Sequence, residues 1–139
     1  MDASQNTPDL EEWLRGFLSR NGGVSGTIHK VTGQVLTLAS AVNIPSPVQT
    51  AIAQIPCGKG MAGLAWERDQ PVTTCNLKED SSRDISPGAK AINAGAGVAL
   101  PVHNANQLTR AIVGIAYKDP RIFVLSEIQA LLVEASTLP

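Results

Sequence analysis

The segment Ile55-Pro56-Cys57-Gly58-Lys59-Gly60-Met61-Ala62-Gly63-Leu64-Ala65-Trp66 decides what kind of α/β protein this is. Gly58, Gly60 and Gly63 spell G-x-G-x-x-G, the dinucleotide-binding fingerprint, and Glu79 or Asp80 lies near the distance at which a ribose-binding acid stands. That fingerprint directly follows a buried parallel strand and opens a doubly wound unit. Here Pro56, two residues before the first glycine, lacks the N–H that a central strand would use. No βαβαβ alternation follows. The glycines therefore read as a tight turn into a short helix that runs to about Arg68 and packs closely on a sheet.

Towards the N-terminus from this segment, Val24 to Val31 and Gln34 to Val42 are rich in apolar and β-branched residues, with Thr32-Gly33 as the turn between them. After the irregular Asn43-Ile44-Pro45, Ser46 caps a short helix from Val48 to Gln54, with Pro47 at its first position. Towards the C-terminus come a strand from Pro71 to Cys75 and a polar loop from Asn76 to Gly88. A short helix from Gly88 to Asn93 follows, with Ser86 as N-cap and Pro87 at its first position. Strands over Gly97 to His103 and Leu108 to Lys118 complete the pattern, and Asp119-Pro120 ends the second.

Two longer helices bracket these elements. In the first, Thr7 is the expected N-cap, Pro8 opens the helix, and Asp9, Glu11 and Glu12 place negative charge at the positive end of the dipole. Leu10, Trp13, Leu14, Phe17 and Leu18 make one apolar face, and Asn21-Gly22-Gly23 stops it. In the last, Ser126 and Gln129 read as a capping box, and Ile128, Leu131, Leu132 and Ala135 form the apolar face. Trp13 and Phe17 carry two open readings: packing on the domain's own sheet, or a dimer helix.

Hairpins call for an antiparallel sheet, because parallel pairs need long crossovers. The expected fold is an α/β (α+β) sandwich: a central antiparallel sheet, terminal helices on one face, short helices and loops on the other. Residues 1–21 form an N-terminal helix packed on the domain and residues 22–139 the domain itself.

A length of 139 residues supports one core. With 43% apolar, 17% charged and only 4% aromatic residues, that core must be mostly aliphatic. The net charge of −1 and the absence of a basic run give no support to nucleic-acid or anionic-membrane binding. A polar N-terminus without a signal pattern and the lack of a spanning apolar stretch make a cytoplasmic location the expectation. Cys57, Cys75, His29 and His103 show no zinc-ligand spacing, so no metal or cofactor is expected and the cysteines read as free thiols.

The glycine segment, the preceding Val35-Leu36-Thr37-Leu38-Ala39-Ser40-Ala41, the following Gln70-Pro71-Val72, and Val98-Ala99-Leu100-Pro101-Val102 with Ile112-Val113-Gly114-Ile115-Ala116 resemble the GAF domain family, over roughly Gly22 to Ala135. Phe123 and Glu127, opening the last helix, add to the likeness. The resemblance implies the same sandwich and a small-molecule site on the sheet face away from the terminal helices. It does not fix a ligand. The N-K…F…D-E signature of cyclic-nucleotide-binding members has no counterpart here, and neither cysteine stands beside a histidine as in bilin-binding members. Free methionine-R-sulfoxide reductases are similar in the I-P-x-G-x-G segment, but Cys57 and Cys75 do not fall at their cysteine positions.

The expected function is therefore a small-molecule-sensing or regulatory domain in signal transduction. It acts through a partner signalling protein or a homodimer of the terminal helices, with Trp13, Phe17 and Leu132 as candidate contacts, and it is not an enzyme. The alternatives are a reductase-like enzyme with rearranged cysteines and a structural dimerisation module. The candidate site is placed at the start of the helix after Ser86. There Ser86, Ala89 and Lys90 would hold a small anionic or zwitterionic ligand at free N–H groups, between apolar walls of Trp66, Ile85, Ile92, Leu100 and Tyr117. The competing reading of the same residues is a simple helix cap and ordinary core.

Overall fold

A computed structural model describes residues 7–76 and 94–139, with side chains from Asp9 onward. Helix α1 (Thr7–Asn21) leads into β1 (Ser25–Thr32) and β2 (Val35–Val42), then α2 (Ser46–Ala51), β3 (Gln54–Pro56), α3 (Gly60–Arg68) and β4 (Val72–Thr74). The strands β5 (Ala96–His103) and β6 (Thr109–Tyr117) and helix α4 (Leu125–Ala135) follow. The six strands form one sheet in the order β3-β2-β1-β6-β5-β4, and every neighbouring pair is antiparallel.

Both terminal helices cover one face of the sheet, as the paired apolar stripes require. Leu10, Leu14, Phe17 and Leu18 of α1 and Ile128, Leu131 and Ala135 of α4 share a core with Ile28, Val98, Leu100, Val113, Ile115 and Tyr117. Helix α1 ends in the backbone motif its glycines suit: Gly22 takes φ +74° and the Gly23 N–H donates to Leu18 O at 2.9 Å. The helices are tied to each other by polar bonds at their solvent edge. Arg20 Nε donates to Glu134 Oε2 (2.5 Å), Asn21 Nδ2 to Glu134 Oε1 (2.9 Å) and Trp13 Nε1 to Thr137 Oγ1 (3.0 Å).

Phe17 is fully buried in this core and stacks on Trp13 with ring centroids 5.0 Å apart. Of its two readings, packing on the domain's own sheet is the one observed, and it is not available as a dimer contact. Trp13 and Leu132 are half-buried against the same core.

Several boundaries differ from the sequence reading. The hairpin turn is Gly33-Gln34, one residue later, because Thr32 still pairs with Val35 while Gly33 takes φ +71°. Helix α2 ends at Ala51, and Gln54–Pro56 instead form an edge strand on β2. A proline is tolerated at such an edge because its missing N–H need not complete a ladder. Helix α4 starts two residues early: Val124 rather than Ser126 is the N-cap, and Glu127 rather than Gln129 reaches back, its Oε1 accepting the Val124 N–H at 3.1 Å. The loop and helix expected over Asn76 to Asn93 lie, beyond Asn76, outside the described residues.

The glycine segment does what its context demands. Gly58 and Gly60 take φ +85° and +65°, turning the chain from β3 into α3. Gly63 lets α3 press against that turn: a Cβ there would stand 2.7 Å from Pro56 O and 3.2 Å from Gly58 N. The motif is a packing device between an edge strand and a short helix, not a phosphate loop after a buried parallel strand.

Candidate functional site

Side chains alternate across a strand, so a sheet with helices on one face offers a second set of residues to the other. On that second face the middle of this sheet carries only small side chains. Ser25 on β1 pairs with Ala116 on β6, which pairs with Gly97 on β5; the next row is Thr27, Gly114 and Ala99. Two rows of small residues across three strands make a shelf of about 10 by 7 Å from strand spacing and rise. Gly114 also lies directly beneath Thr27 Oγ1, which a Cβ there would meet at 2.7 Å.

Beside the shelf stand α2, the edge strand β3 and the start of α3. They border a half-open cavity of about 270 Å³, near the small end of ligand-site sizes. Ile44, Val48, Ile52, Ile55 and Met61 supply apolar walls. The end of α3 that reaches the cavity is its N-terminus: Lys59, Gly60, Met61 and Ala62 all line it. Lys59 is the N-cap and makes no side-chain capping bond, and the first N–H groups of a helix have no partner within it. Their donors and the dipole favour an anion there.

The polar side chains of the floor carry the most information. His29 is 1% exposed and Ser25 2% exposed, and both line the cavity. His29 Nε2 lies 2.9 Å from Ile52 O. A carbonyl can only accept, so the proton belongs on Nε2. Burial holds the imidazole below its ordinary pKa against the opposing pull of the Ile52 bond, so the ring is neutral. His29 Nδ1 is then a bare lone pair. It has no partner, and neither has Ser25 Oγ; among the described residues these are the only buried side-chain polar atoms left so. An unsatisfied buried group costs about 1–3 kcal/mol; both residues line the cavity, but these two atoms carry essentially no accessible surface and lie in its floor rather than open to it.

The residues proposed from sequence fall otherwise. Leu100 and Tyr117 lie on the opposite face, in the core under α1 and α4. Each is one residue beyond a shelf residue, Ala99 and Ala116, and a one-residue offset in a strand reverses the face. Trp66 is half-buried on the smaller cluster of Leu36, Leu64, Ala65, Val72, Ala99 and Ile112 and does not line the cavity. Ile85, Ser86, Ala89, Lys90 and Ile92 lie outside the described residues.

The sequence reading does not single out Ser25 or Thr27 and weighs His29 only as a metal ligand. Their signal was a polar alternation in β1 matched by small residues at alternate positions of β5 and β6. Alone, such an alternation looks like a solvated strand face.

Cys57 and Cys75 are both exposed free thiols. No group of three or more metal-ligating side chains gathers among the described residues. No helix there is long and apolar enough to cross a membrane.

The fold is that of GAF domains, and solved structures similar to it include GAF domains of larger proteins and free methionine-R-sulfoxide reductases. One is a type II free methionine-R-sulfoxide reductase from Thermoplasma acidophilum, 13% identical, with a TM-score of 0.77 over 95% of this chain and 88% of that one. A GAF domain/HD domain protein from Geobacter sulfurreducens is 12% identical, with a TM-score of 0.75 over 95% of this chain and 88% of that one. The GAF domain of an Acinetobacter phosphoenolpyruvate-protein phosphotransferase is 14% identical, with a TM-score of 0.73 over 95% and 80%. No family model matches the sequence, and no curated protein matches it. At these identities the likeness establishes the GAF-like fold and nothing further.

Proposed function

We propose that this chain is a ligand-responsive regulatory domain. It would take a small anionic or zwitterionic molecule into the cavity between the shelf of β1, β5 and β6 and the elements α2, β3 and α3. The observation that carries this reading is the coincidence of a largely apolar cavity, on the sheet face away from the terminal helices, with the uncapped N-terminus of α3 at its rim. The same three strands carry the terminal helices on their other face. A ligand that shifts the shelf therefore acts directly on α1 and α4, which pass the signal to a partner protein or to a second copy of the chain.

Thermal unfolding across a panel of small carboxylates, amino acids, nucleotides and inorganic anions tests the proposal. A ligand at about 100 times its dissociation constant adds about 2.7 kcal/mol. Ala116→Leu, which places a bulky side chain on the shelf, should abolish the shift. A panel without any effect, or a shift that survives Ala116→Leu, would sink the reading.

A second reading, a thiol-dependent reductase, draws on the likeness to the Thermoplasma enzyme and on two exposed thiols. Turnover of free methionine sulfoxide with a thiol reductant separates the two. The regulatory reading expects none above background.

A further inference from the structure

We infer that the cavity takes a short aliphatic monocarboxylate carrying a neutral hydroxyl or keto oxygen, which Thr27 Oγ1 recognises, and that it rejects amino acids and nucleotides. The inference rests on the reading of the cavity as a ligand site and narrows what that site accepts.

Size and lining set the first limits. A dry apolar cavity of about 150 Å³ takes one benzene, so about 270 Å³ takes about ten non-hydrogen atoms, far fewer than a nucleotide holds. No Phe, Tyr or Trp is among the described residues that line it, so a base finds nothing to stack on, whereas Ile44, Val48, Ile52 and Met61 suit an aliphatic body.

Charge sets the next limit. Of the described Lys, Arg, Asp and Glu residues, Lys59 alone lines the cavity, and it makes no ion pair among the described residues. Glu67, whose carboxylate stands beside Gly58, does not line it. A ligand carboxylate therefore meets a cation without a partner. The ammonium group of an amino acid would leave water with no carboxylate to receive it, and an unpaired buried charge is costly.

The floor then offers one open hydroxyl. Thr27 is half-buried on β1 between buried Gly26 and Ile28, and its register partner Gly114 is half-buried on β6 between buried Val113 and Ile115. Both line the cavity. Val113 and Ile115 point into the core under the terminal helices, so the bare Cβ position of Gly114 is on the cavity face. Thr27 Oγ1 stands on that face, 2.7 Å from this position, and makes no hydrogen bond among the described residues. A hydroxyl that can both donate and accept fits a ligand hydroxyl or keto oxygen.

Calorimetry on the full chain tests this with probes of one carbon skeleton: 4-methylpentanoate, its 2-hydroxy, 3-hydroxy and 2-oxo derivatives, and leucine. Adenosine monophosphate is the size control. At least one hydroxy or oxo acid is expected to bind about tenfold more tightly than leucine and about fivefold more tightly than 4-methylpentanoate. In Thr27→Val, which keeps the branched shape, the fivefold preference should vanish while 4-methylpentanoate binds as before. A measurement on the unaltered protein guards against a variant that folds poorly: at saturation, ligand hydrogens next to the added oxygen should give nuclear Overhauser contacts to the Thr27 methyl group.

The inference is overturned if leucine or adenosine monophosphate binds as tightly as the best of these acids, or if the added oxygen gains nothing over 4-methylpentanoate. A gain that survives Thr27→Val, or the lack of the Overhauser contact, overturns it equally. In each of these cases, binding that Ala116→Leu abolishes leaves the cavity reading standing. Absence of binding by these acids also overturns it, and if the wider panel fails as well, the cavity reading falls with it.

Discussion

Gly63→Ala in α3 and Gly16→Ala in α1 are the same substitution in two helices, and the structure gives them opposite signs. In a helix interior, alanine is favoured over glycine by about 1 kcal/mol, from propensity and the lower entropy of the unfolded chain. At Gly16 a Cβ would meet only the far end of Arg20, with Nη1 at 2.8 Å. That flexible arm can swing aside, so Gly16→Ala should gain about 0.5–1 kcal/mol. At Gly63 the Cβ would lie 2.7 Å from Pro56 O and 3.2 Å from Gly58 N. Both are backbone atoms in the turn that joins β3 to α3, and that turn is fixed by Gly58 N–H donating to Gly63 O at 3.0 Å. Overpacking of this kind costs about 1–3 kcal/mol, more than the propensity gain returns. The net expectation is a loss of about 1–2 kcal/mol, or a fall of about 4–8 °C in melting midpoint at roughly 4 °C per kcal/mol. Urea unfolding of both variants, followed by circular dichroism, gives the two signs in one experiment. If Gly63→Ala stabilised the protein as much as Gly16→Ala, the close approach of α3 to the edge strand would be wrong, and with it the structural reading of the glycine motif.

Phe17→Ala should cost about 3–5 kcal/mol in chemical denaturation, because the ring is fully buried; a loss below 1 kcal/mol would return Phe17 to the surface. His29 gives a pH signature. Burial holds its folded pKa below the ordinary imidazole value of about 6.5, so below that value the unfolded chain binds the extra proton first. Stability should be fully present above about pH 6.5 and fall as the pH drops towards the folded value, and His29→Gln should flatten that slope; equal slopes would mean the ring is not held neutral. Replacing Cys57 and Cys75 together by serine should change stability by less than about 0.5 kcal/mol, as both are exposed; a larger loss in urea unfolding would show a structural role.

What the sequence makes legible here is what local periodicity controls. The 3.6-residue stripe of Leu10, Leu14, Phe17 and Leu18 and the two-residue turn near Gly33 required no knowledge of distant contacts. The edge strand Gln54–Pro56 was hidden because three residues with a proline carry almost no strand signal, and only pairing with Val35 to Thr37 defines them. The cavity was hidden for a different reason. Choosing Leu100 and Tyr117 as walls placed bulky apolar residues where small ones stand, since their neighbours Ala99 and Ala116 occupy the other face. His29 reads as an ordinary polar residue of a strand until the end of α2 places Ile52 O against it.

A crystal structure of the protein soaked with the most stabilising compound of the anion panel tests the central claim most directly. The account predicts density on the shelf of Ala99, Gly114 and Ala116, with a negatively charged group at the first N–H groups of α3. Density at another surface, or a shelf covered by the protein's own side chains with no ligand on it, would contradict the account.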